Sequence, residues 1–161
     1  MQTTENGRGM LRHALATLAY RGGKAIQDVP PTFAEFQAGP TSRTPAAILA
    51  HMGDLMDWAL SMARGSERWK DSPALFWADE ASRFFSSLAA FDEFLAGPLP
   101  LRAPLEKLFQ GPVADALTHV GQIAALRRLA GCPMRGENYF VADIAVGRVG
   151  PEQAAPRREF D

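Results

Sequence analysis

A single cysteine, Cys132, stands in 161 residues, so no internal disulfide can form and the chain must hold itself together by packing. Histidine is scarce as well, with only His13, His51 and His119. No apolar run is long enough to span a bilayer, and Arg12 with His13 interrupts the first apolar stretch, so neither a secretory signal nor a membrane anchor is read here. Charge of one sign is lacking: 17 Lys and Arg against 18 Asp and Glu leave a net charge of -1, scattered along the chain. That balance argues against nucleic acid or an anionic membrane as a partner. Internal repeats, low-complexity tracts and strand-like alternation are also absent. The expected location is the cytoplasm.

What is present suits one globular domain. Hydrophobic residues make up 47% of the chain, enough to bury a core at this length. Leu11, Leu15 and Leu18 predict a first helix over Met10 to Gln27. The breakers Pro30, Pro31, Gly39 and Pro40 then make Asp28 to Arg43 a connection with one short turn around Phe33 to Phe36. Thr44 as cap, Pro45 at the first helical position and Gly65 as stop predict a second helix. Ser72 and Pro73 open a third, ended by Gly97 and Pro98, with Phe84, Leu88 and Phe91 buried and Asp79, Arg83, Asp92 and Glu93 in water. After a bend, LEKLF at residues 105–109 is expected to form a turn or two of helix, and Gly111 and Pro112 then open a fourth long helix, stopped by Gly131 and Pro133. One further short helix is expected within residues 137–150, and residues 147–161 read as an irregular tail. The expected fold is all-α, an up-and-down bundle of four helices in one domain, residues 1–161.

Chemistry concentrates on the fourth helix. Asp115 and His119 lie four residues apart, which places a carboxylate and an imidazole one turn apart on one face. His51 lies on the flank of the apolar stripe Ile48, Met52, Leu55 and Met62 of the second helix, facing inward. Two imidazoles and a carboxylate are a common three-ligand set for a catalytic divalent metal, and zinc, nickel and ferrous iron all accept it. Gln122, one turn past His119, can orient a ligand from behind. Asp54 and Asp57 read as the solvated side of their helix, with Asp54 the better pocket contact, and Trp58 reads as a core aromatic that can line a pocket or an interface. Plainer readings compete: a carboxylate in the first turn of a helix is stabilised there without any metal, and a histidine can be a satisfied core residue. Arg127 and Arg128 suit the negative end of their own helix, and Cys132, just past that end, is poorly placed as a nucleophile.

The segment DALTHVGQIAALRRLAG, with His119 three residues before Gln122, resembles the last long helix of the DinB/YfiT-like superfamily. TPAAILAHMGDLMDWAL resembles that family's second helix, whose metal histidine falls on His51. Many members carry another histidine where this chain has Asp115, and the thiol-dependent maleylpyruvate isomerase branch carries a carboxylate there. The resemblance spans about Leu11 to Gly131. It implies a four-helix bundle, often a homodimer, with His51, Asp115 and His119 holding a divalent metal. It implies activity on a small-molecule substrate as a low-molecular-weight-thiol transferase or isomerase, the nucleophile being a metal-activated thiol or water. The alternative from a different class is a non-catalytic metal-binding or dimeric interaction bundle.

Overall fold

The computed structural model describes residues 2–160, and these are mostly helical. Helix α1 spans Gln2–Ile26, α2 Pro45–Ala63 and α3 Trp77–Ala96. A last long helix starts as α4, Leu105–Leu108, passes through a π-helical turn at Phe109–Val113 and continues as α5, Ala114–Leu129. Helices α1 and α2 each pack against both α3 and α5. Leu18, Met52, Met56, Phe84, Leu88 and Ile123 meet between them, fully buried. The all-α expectation therefore holds in its coarse form. Among the described residues, no helix is long and apolar enough to cross a membrane.

Local chemistry explains most boundaries. At the start of α2, Thr44 Oγ1 accepts the Ala47 N–H at 3.2 Å, and Gly65 leaves the helix with φ of 78°, a left-handed conformation that suits glycine. Helix α1 begins eight residues earlier than its apolar pattern predicts, through Gly7 and Gly9, because tertiary contacts outweigh their poor propensity. Gly7 lies against Leu105, where a Cβ would come within 2.6 Å of its Cδ1. Arg8 donates to the carbonyls of Leu95, Gly97 and Leu99 at 3.3, 2.8 and 2.5 Å, closing the open end of α3. Arg127 does the same for α1, donating to the carbonyls of Lys24, Ala25 and Gln27. Its Nε also donates to the Cys132 carbonyl at 2.9 Å, so the one guanidinium serves the end of its own helix and that of α1.

Three expectations are corrected. Ser72 and Pro73 do not open α3, which starts at Trp77, because the Ser72 N–H is drawn to Asp54 Oδ2 at 2.8 Å and the Leu75 N–H to Glu80 Oε2 at 2.9 Å. Asp92 is buried, not solvated, with both its oxygens held by Arg12 at 2.8 and 3.0 Å, and Arg83 is partly buried among acids. The fourth helix does not start at Gly111 and Pro112. Pro112 has no N–H to donate to Leu108, and its ring would collide with that carbonyl in a regular α-helix. The wider turn, with the Ala114 N–H reaching Phe109, accommodates it and lets the helix run on from Leu105.

The C-terminal stretch is tied down. The expected short helix is only a 3₁₀ turn, Tyr139–Val141, and Glu159–Phe160 (β2) pairs antiparallel with Gly136–Glu137 (β1). Lys24 of α1 fastens this ribbon, its Nζ 2.9 Å from Glu137 Oε2 and 2.8 Å from Glu159 Oε2. The hydrogen bond from Lys24 is the main cause that holds the Glu159 carboxyl below its ordinary value of 4.5. A carboxyl whose folded pKa is depressed contributes its stability fully above the unfolded value and loses it as pH falls through the folded one. Hydrogen-exchange protection of the Asn138 amide, which donates to Arg158 O across the ribbon, is therefore expected to fall below about pH 4.5 before that of the α2 amides. Parallel loss in both would contradict a local latch.

Candidate metal centre

His51 comes from the middle of α2, and Asp115 and His119 from successive turns of α5. Since α2 and α5 pack directly together, the three side chains meet. His51 Nε2 is 3.5 Å from Asp115 Oδ2, and His119 Nε2 is 3.3 Å from Asp115 Oδ1. The two imidazole rings stand perpendicular with centroids 4.8 Å apart. One ligand atom from each residue fits within a span of 4.8 Å. His119 is buried and His51 partly buried, while the Asp115 side chain is 46% exposed and leaves the group open to solvent on one side.

The donor set can hold a divalent ion. Ligands about 2.0–2.2 Å from a tetrahedral ion lie roughly 3.3–3.6 Å from one another. The carboxylate-to-imidazole separations, 3.5 Å to Oδ2 and 3.3 Å to Oδ1, have that size, and with one ligand atom taken per residue the three atoms lie within 4.8 Å of one another. The orientation of His119 supports the same conclusion. His119 Nδ1 lies 2.8 Å from Gln122 Oε1, which takes an N–H from that side of the ring and turns Nε2 toward Asp115 Oδ1, 3.3 Å away. His51 is the complementary case. Burial foremost, then the nearby charges of His119 and Arg43, hold its pKa below the ordinary value of 6.5 against the opposing pull of Asp115. A neutral ring at pH 7 is the form that ligates a metal.

The continuous helix also changes the standing of Asp115. In a helix that begins at Gly111 the carboxylate would sit in the first turn, where exposed N–H groups favour it. The backbone instead stays helical from Leu105, with Phe109 N–H bonded to Leu105 O and Ala114 N–H to Phe109 O. Asp115 therefore lies more than two turns inside, where the end of the helix dipole no longer explains it. The π-turn sits directly before the ligand pair, a position where such turns often serve a site.

Two residues named with the centre are placed elsewhere. Asp54 is 3% exposed, not solvated, and its carboxylate is bound to Arg83 Nη1 at 3.0 Å and the Ser72 N–H. It lines a separate cavity of about 760 Å³ with Asp57, Arg64 and Lys70. Trp58 donates its Nε1–H to Glu67 Oε1 at 3.2 Å and packs edge-on against Trp69, which in turn meets His51. Trp69 itself lies edge-on to both, 5.6 Å from the His51 ring and 5.7 Å from that of Trp58. No sequence expectation falls on Trp69, although a lone tryptophan among the polar residues Ser66 to Asp71 is the signal that could single it out. His13 lines an apolar groove between α1 and α4, away from the centre. Comparison with protein-family models, with curated proteins and with solved structures finds no match for this chain.

Proposed function

We propose that the protein is a divalent-metal-dependent enzyme of the low-molecular-weight-thiol transferase or isomerase type, a DinB-like four-helix bundle in which His51, Asp115 and His119 are the ligands. The observation that carries the metal is the convergence of three ligand atoms within 4.8 Å on two packed helices, with one carboxylate facing both imidazoles. The thiol chemistry rests on the resemblance of the His51 and His119 segments to that family. A bound zinc, nickel or ferrous ion lowers the pKa of a coordinated thiol or water, which makes a nucleophile available near neutral pH. The chain's own residues supply the setting. Gln122 orients His119, burial keeps His51 neutral, and the open side at Asp115 gives a small-molecule substrate its approach. Assembly as a homodimer belongs to the same proposal.

The test offers metal-loaded protein several small thiols together with a panel of electrophilic substrates. Turnover is expected with at least one pair, and it should vanish both on chelation and in His51→Ala. Tight metal binding without turnover for any pair would favour the alternative, a non-catalytic metal-binding or dimeric interaction bundle.

A further inference from the structure

The segment between α2 and α3 is fastened to the helices by buried charge. Ser72 N–H ends on Asp54 Oδ2 at 2.8 Å and Leu75 N–H on Glu80 Oε2 at 2.9 Å. Arg83 joins these two acids, with Nε 2.6 Å from Glu80 Oε1 and Nη1 3.0 Å from Asp54 Oδ1. Its remaining nitrogen, Nη2, donates to the carbonyl of Ala50, the residue before His51, at 2.5 Å. Gly53 permits this, since a Cβ there would stand 2.8 Å from the guanidinium carbon. The side chain of Glu80 is fully buried and that of Asp54 nearly so. Burying such a network is costly unless every partner is satisfied, and what it provides in return is a fixed arrangement.

What the arrangement fixes is Trp69. Gln122 orients His119 by a hydrogen bond, but among the described residues none reaches His51 Nδ1. The His51 ring is instead packed between His119 and Trp69, whose planes meet it at 90° and 66°. Trp69 rides on the fastened segment, which Arg68 N–H also ties to Ser61 Oγ at 3.0 Å. The geometry points to Arg83 as a positioning residue of the centre: with Asp54 and Glu80 it clamps the α2–α3 segment so that Trp69 braces the His51 ring in its ligating orientation. The metal part of this inference rests on the proposed function above, whereas the bracing of His51 does not.

Two readouts separate these parts: the NMR resonances of the His51 ring protons in metal-free protein, and the zinc dissociation constant. The variants are Trp69→Leu, Trp69→Phe, Arg83→Lys and Ser72→Pro; the last removes one clamp N–H without touching the buried charges. Trp69→Leu, Arg83→Lys and Ser72→Pro are each expected to move the His51 resonances and to weaken zinc binding on the order of tenfold. Trp69→Phe, which keeps an aromatic edge, should restore both. If Arg83→Lys fails to fold, Ser72→Pro carries the test. Zinc binding and His51 resonances that stay at wild-type values in Ser72→Pro and Trp69→Leu would overturn the bracing while leaving the metal reading intact. Shifted resonances in a protein that binds no zinc at all would support the bracing and defeat the metal reading.

Discussion

Alanine in place of His119 is expected to weaken zinc binding by more than about a hundredfold, since losing a ligand should exceed the 10- to 100-fold cost of losing an outer partner. His119 supplies one of the three converging donors, and its removal also leaves Asp115 Oδ1 facing a gap. Gln122→Ala should lose only about tenfold, because Nε2 stays in place while the bond that fixes its tautomer is gone. Competition with a chromophoric chelator measures both, and circular dichroism checks that the helices persist. Gln122 is exposed, so its truncation opens no cavity in the core. Equal affinities in wild type and His119→Ala would remove His119 from the centre.

The second large effect falls on stability. Arg83→Ala is expected to cost about 3–5 kcal/mol, the range for removing one partner of a buried ion pair and leaving the other charge uncompensated. Here two acids lose their counterion, the fully buried side chain of Glu80 and the nearly buried one of Asp54. Combining Arg83→Ala with Asp54→Asn and Glu80→Gln should recover part of that loss, since no uncompensated charge then stays behind. Urea unfolding of the three chains measures this. A cost below about 1 kcal/mol for Arg83→Ala would place the network among weak surface pairs.

Much of the helical layout is legible in the sequence because its signals are local. Thr44, Pro45 and Gly65 act through bonds within a few residues, and α2 has the bounds they predict. The errors arise where a distant partner decides. Ser72 and Pro73 look like a helix start until Asp54 and Glu80 take the backbone N–H groups around them. Gly7 and Gly9 look like breakers until Leu105 and the end of α3 supply contacts. Arg83 at three residues from Glu80 looks like an exposed helix pair, and nothing local shows that Asp54, 29 residues away, completes it. The same limit applies at the centre. The spacing of Asp115 and His119 is visible as one face of a helix, but the approach of His51 depends on how α2 meets α5. Trp69 is invisible as a neighbour of His51 because the fold of the α2–α3 segment, rather than any periodicity, brings it there.

The convergence of His51, Asp115 and His119 on one ion is tested most directly by elemental analysis of protein purified without a metal-affinity tag, wild type beside Asp115→Ala. Asp115 is the choice because its carboxylate stands between the two imidazoles and the continuous helix removes the other reason for its position. Wild type should carry close to one equivalent of a single divalent metal, and Asp115→Ala should carry little. Equally little metal in both would mean that the three side chains form a local polar cluster and not a metal centre.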